Sequence, residues 1–252
     1  MSSFDGDEDD LRYFLKLADG IAEETTLQWS SALDLIGRAH RVFRNLVKTE
    51  PISAPPVPLV LALQGHASLL GAVRGAVAGH IASVYPGLRV CVESALYALL
   101  MVKKPELVDV WIRRHESEEA RRACRAAFSY GNCLTNLKEC DADFALHIDY
   151  AYSASIDLGA HPNMRAVFPH ISLNEVDDRR TEMSLAFLHS SDGFETRRAL
   201  LACFETAVAV LSLLWIAFPE QLEAQCDEIN ALISSQPTMM AYLKVNDTPP
   251  SE

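Results

Sequence analysis

The sequence predicts an all-α, multi-helix bundle. Apolar residues recur at three- and four-residue spacing along most of the chain, and glycines and prolines punctuate those runs where helices would end. Only one segment loses the helical period. At 252 residues, 49% hydrophobic and 22% charged, the chain has enough apolar material for a sizeable core.

The opening "MSSFDGDEDD", residues 1–10, reads as a disordered acidic tail without the charged-then-apolar pattern of a secretion signal. Residues 11–50 read as a helical hairpin packed on the bundle, with Leu11, Phe14, Leu15 and Ala18, then Leu33, Ile36, Phe43 and Leu46, on helical spacing. "TEPISAPPVP" follows, a stiff connector and the expected boundary of a main bundle over 59–234. Its first helix is expected from Leu59 to Val84, with Gly71, Gly75 and Gly79 opening a flat face for close packing or for a partner. "YPG" at Tyr85–Gly87 should end it, and "LRVCVESALYALLMVKK" should pair tightly with it.

Pro105 should start a helix, "PELVDVWIRRH". Further helices are expected over 117–129 and about 141–158, the latter capped by Gly159 with Pro162 beyond. The segment from Phe168 to Ser191 suits a small β-hairpin near residues 170–189, turning across "DDRR". Residues 194–218 form the most apolar helix, Pro219 starts another ending near Ser234, and 235–252 read as a C-terminal tail.

A net charge of −12 disfavours nucleic acid and anionic membranes unless a local basic patch overcomes it. The six cysteines contain no CxxC pair and mostly sit in apolar helical runs, which implies a reducing cytoplasm. "ALLACFETAVAVLSLLWIAF", 199–218, is long enough to cross a bilayer, but Glu205, Thr206 and Ser212 interrupt it and no second comparable run is evident. It therefore reads as a core helix, and no membrane is expected.

Arg89, Glu93 and Tyr97 recur every fourth residue and make one stripe roughly 12 Å long. They are either the wet edge of an ordinary helix or a polar seam facing a bundle interior, where a charge has to be paired. A second candidate is "SIDLGAHPN", in which a helix ends and delivers His161 and Asn163 on a turn. A histidine just past a helix C-terminus has its charged form favoured by the dipole, although such a residue also serves as a simple cap. Arg114 and His115 in "WIRRH" are a third candidate, followed by Arg121, Arg122 and Arg125 but interleaved with Glu116, Glu118 and Glu119, the pattern of a solvated charged face. Cys133, Cys140 and His147 are spaced by sevens, about 10 Å between neighbours on one helix, too far to share a zinc ion unless that helix breaks. No metal or cofactor is expected. HExxH, Walker A, GxGxxG and GxSxG are absent from the sequence.

"YPGLRVCVESALYALL", "VWIRRH" and "SIDLGAHPN", in that order, resemble a family of uncharacterised all-helical proteins from proteobacteria over about residues 60–230. More distantly the chain resembles HEPN-type helical domains, some of which are metal-independent ribonucleases of toxin and phage-defence systems. That resemblance implies an arginine followed four to six residues later by histidine, a spacing met here by Arg74 with His80 and by Arg165 with His170. In each, the polar residue that usually follows the arginine is missing.

Three functional expectations follow. The first is a cytoplasmic binding or regulatory bundle, as a homodimer, with Arg89, Glu93, Tyr97, Arg114, His115, His161 and Asn163 lining a polar cleft for a small ligand. The second is an RNA-cleaving enzyme in which His161, Arg89 and Glu93 would be catalytic. The third is a homo-oligomeric interaction module using the glycine face.

Overall fold

The periodic apolar runs form helices, and the segment without that period forms the one hairpin seen among the described residues. The computed structural model describes residues 11–48, 54–161, 163–177 and 180–244, with backbone alone for 172–182. The acidic tail at 1–10 and the end of the C-terminal tail, 245–252, lie outside the described residues.

α1 (Leu11–Gln28) and α2 (Ser30–Asn45) meet at a single residue. The expected hairpin is a bent helix instead, because Trp29 departs from helical geometry while the bonds from Trp29 N to Thr25 O and from Leu33 N to Trp29 O, both 3.0 Å, carry the ladder across it. The Trp29 indole donates to Ser191 O at 2.8 Å, which fixes the kink to a loop 162 residues away.

α3 (Pro56–Val77) starts with prolines in its first turn, where a missing N–H does least harm. It ends seven residues before the expected Val84. Gly79 takes up φ 71° and His80 N closes back on Gly75 O at 2.8 Å, a glycine-terminated helix end. "YPG" therefore opens the next helix, α4 (Val84–Lys103), and does not terminate the previous one. α3 and α4 do pair tightly, but through other glycines than those expected. A Cβ on Gly65 would sit 3.1 Å from Cys91 O, and one on Gly87 3.1 Å from Ser68 O. Gly71 faces open space, Gly75 is buried against Ser83, and Gly79 lies against the backbone of His189. A continuous outward glycine face is not formed: α3 ends at Val77, so only Gly71 and Gly75 of the three are helical, and Gly75 is buried.

After α4 the chain makes a turn at Pro105 and Glu106 into α5 (Leu107–Ile112), then α6 (Glu118–Ala127), α7 (Tyr130–Cys140) and α8 (Ala142–Ser155). Side-chain caps place the starts of the last three: Ser117 accepts from Ala120 N, Ser129 from Asn132 N and Asp141 from Phe144 N. α8 runs into a wide π turn, Ile156–Ala160, which Gly159 terminates at φ 153° as expected of a cap. α9 (Met164–Val167) leads into antiparallel β1 (Ile171–Asp177) and β2 (Arg180–Leu185), with Ile171 opposite Leu185.

α10 (Phe194–Ala217) lies across α2, α3 and α4 and contributes Leu200, Cys203, Phe204, Leu211 and Leu214 to the core. α11 (Pro219–Leu222), α12 (Cys226–Ile233) and α13 (Gln236–Leu243) close the bundle. The tail expected from residue 235 begins later, because Met239 and Leu243 are fully buried and dock α13.

Three helices, not one, are long and apolar enough to cross a membrane by length and composition: Pro56–Val77, Ile81–Lys103 and Phe194–Ala217. Gln64, His66 and Arg74 in the first, and Arg89 and Glu93 in the second, break up the apolar runs and hide this in the sequence. In the fold the three pack on one another.

Candidate functional site

The outer side of α4 carries Arg89, Glu93 and Tyr97, each half-buried beneath α7, α8 and the π turn. The stripe is thus a covered seam. Arg89 Nε donates to Glu93 Oε1 at 2.9 Å. Arg89 Nη1 reaches His161 Nε2 at 2.7 Å, across 72 residues of sequence. Tyr152 Oη donates to the same Glu93 oxygen at 2.9 Å, and the Arg89 guanidinium lies 5.3 Å from the centre of the Tyr152 ring. Tyr152 stacks on Tyr130 at 3.7 Å between centroids, and Tyr130 Oη donates to Asp149 Oδ1 at 2.9 Å.

Burial opposes the charge on Arg89, but the hydrogen bond and charge of Glu93 outweigh it and raise the guanidinium pKa. Burial, then the bond to Glu93, pushes Tyr152 up to about 12. Burial, then the bond to Asp149, raises Tyr130 well above the ordinary phenol range. Both phenols stay protonated as donors.

A guanidinium has donors only, so His161 Nε2 must be its acceptor and the contact is made by the neutral ring. The charged ring that the helix end would favour has no acceptor to offer the guanidinium, so this contact does not use it. Asn163 holds the turn in place. Its Oδ1 caps α9 through Ala166 N at 3.0 Å, and its Nδ2 donates to Ile156 O and His161 O, both at 3.0 Å. Asn163 is therefore a positioning residue.

The other expected members lie apart from this cluster. Tyr97 packs against Phe128 with centroids 5.0 Å apart, and burial, then the Glu93 charge, pushes its phenol up to about 12. Neither Arg114 nor His115 hydrogen-bonds to Arg89, Glu93 or His161; Arg114 is half-buried and His115 exposed. Arg113 with Glu116 at 2.8 Å and Arg121 with Glu118 at 3.0 Å form the solvated charged face the interleaving implies. The seven-residue Cys133, Cys140, His147 series does break, at Asp141, yet among the described residues no group of three His, Cys, Asp or Glu is placed to hold a metal ion.

Beyond His161 opens a cavity of about 390 Å³, lined by His80, His161 and His170 together with Leu158, Val167 and Phe187. Such a volume is within the range of small-molecule sites. Its rim is apolar and open to solvent, with Leu185 and Phe187 both at least half exposed. His170 Nδ1 contacts His189 Nε2 at 2.8 Å, and His189 N donates to Gly79 O at 2.9 Å, one residue before His80. Burial, then the nearby His170 and Arg198, pushes His189 down to about 4.

Sequence reasoning missed Tyr130, Asp149, Tyr152 and His189. "DYAY" places Asp149 and Tyr152 one turn apart on α8, and His189 follows the hairpin, so both signals were present without a reason to choose them. Comparison with protein-family models, with curated proteins and with solved structures gives no match for this chain. The site has to be understood from its own geometry.

Proposed function

We propose that the protein is a small-ligand-binding protein whose recognition element is the Arg89, Glu93, Tyr152 and His161 cluster at the edge of the histidine-lined cavity. One observation carries this reading: Arg89 and His161 meet at 2.7 Å from elements 72 residues apart, with His161 also forming part of the cavity wall. A polar group fixed by a network on one side and bordering a mostly apolar cavity on the other is the usual form of a binding site. The six free cysteines support a cytoplasmic setting, and assembly as a homodimer remains part of the proposal.

A thermal-shift screen of small organic molecules on the wild type and on Arg89→Ala tests it. Stabilisation of the wild type by a hit that fails to stabilise the variant is the expected result. If Arg89→Ala lowers stability while no compound shifts the wild type, the cluster only holds the bundle together.

The metal-independent ribonuclease is the second reading, and one observation favours it. His80 and His170, the histidines of the two Arg-to-His spacings, line the same cavity as His161. Their arginines are engaged elsewhere, Arg74 with Asp19 at 2.7 Å and Arg165 with Asp157 at 3.2 Å. Mixed RNA left intact by the protein in the presence of a chelator removes this reading.

A further inference from the structure

Among the described residues the polar side chains of the cavity wall are imidazoles, and no Asp, Glu, Lys or Arg lines it. What those rings present is set by the partners behind them. His161 Nε2 is committed to accepting from Arg89, so in the neutral ring the proton is on Nδ1. Nδ1 has no protein partner among the described residues. It is a donor, and the cation at the opposite nitrogen withdraws charge from the ring and strengthens it. His170 is tied through Nδ1 to His189, which leaves its Nε2 without a protein partner. The rest of the wall is Leu158, Val167, Leu185 and Phe187, with Ala82, Ala166 and Ala186 small enough to leave the space open. At the ~30 Å³ a water molecule occupies in the liquid, about 390 Å³ holds on the order of a dozen non-hydrogen groups.

We infer that the cavity takes a small monocarboxylate with an apolar body, its carboxylate accepting the His161 Nδ1–H and its body lying along Leu158, Val167 and Phe187. This rests on the small-ligand reading above and narrows it. A carboxylate is preferred to an alcohol because the donor is backed by the Arg89 cation, and a hydrogen bond to a charged group is stronger than a neutral one. An amine is disfavoured because no acidic side chain among the described residues lines the wall and an ammonium has only donors to offer. Glu93 is occupied by Arg89 and Tyr152, and Asp157, in the π turn, by Arg165.

Three probes with one body and different heads decide it: octanoate, 1-octanol and octylamine, titrated into the full chain at pH 7.5 by calorimetry. Octanoate should bind about tenfold more tightly than 1-octanol, the ratio of a charge-assisted to a neutral hydrogen bond, and octylamine should be weakest. His161→Phe keeps the ring's bulk and removes its N–H; it should abolish the preference for octanoate over 1-octanol while 1-octanol still binds. Where His161→Phe fails to fold, Arg89→Gln should reduce the same ratio. Ala186→Trp, which fills the cavity, should abolish binding of all three. Octylamine binding as well as octanoate, an octanoate preference that survives His161→Phe or Arg89→Gln, or octanoate binding that survives Ala186→Trp overturns the carboxylate inference and leaves the small-ligand reading standing. Absence of binding by all three to the wild type removes both.

Discussion

Two pairs of histidines make the same contact in different surroundings. His40 Nδ1 and His66 Nε2 are 2.9 Å apart between α2 and α3, with the His66 ring stacked on buried Phe43 at 4.6 Å between centroids. His170 and His189 are 2.8 Å apart, but one side of the pair borders the cavity. Both have one ring pushed down to about 4, first by burial and then by the partner histidine. The hydrogen bond alone therefore does not mark a site. What distinguishes the second pair is the open space beside it.

The comparison can be broken most forcefully at the pair between α2 and α3. Phe43→Ala removes the ring on which His66 stacks and should cost about 3–5 kcal/mol in chemical denaturation, as for a fully buried phenylalanine. His66→Ala leaves His40 without its partner and should cost about 1–3 kcal/mol, whereas His170→Ala, on the cavity side, should cost less and change ligand binding more. Acidification tests both pairs together. Unfolded histidine takes up protons near 6.5, while folded His66 and His189 resist them until about 4, so their contribution is complete above pH 6.5 and is lost as pH falls from 6.5 towards 4. Melting temperature should decline through that window, and less steeply in His66→Phe. Tyr152→Phe removes one hydrogen bond to Glu93 and should cost about 0.5–1.5 kcal/mol by the same denaturation measurement. Phe187→Ala, at the exposed cavity rim, should stay within about 0.5 kcal/mol while weakening ligand binding.

The helical class, the hairpin after Phe168 and the Gly159 cap were legible in the sequence because period, punctuation and backbone freedom are local properties. The meeting of Arg89, Glu93 and His161 was legible as a question, since a charged stripe in so apolar a helix needs partners. Its answer was not, because the π turn that carries His161 back onto α4 has no sequence signature of its own. Gly65 and Gly87 were missed for a related reason. A glycine shows that a backbone can approach, and only the packed partner shows which one did. Asn163 was placed correctly beside His161, but its amide is spent on the turn.

The position of α10 in the chain has a consequence for synthesis. α3 and α4 emerge as an apolar pair, and the helix that covers them begins at Phe194, roughly ninety residues after α4 ends at Lys103. At 5–20 residues per second that interval is about 5–20 s, during which the partly covered pair is available to chaperones or to neighbouring nascent chains. The last quarter of the chain, although remote in sequence from Arg89, sets when the apolar pair beneath it is covered.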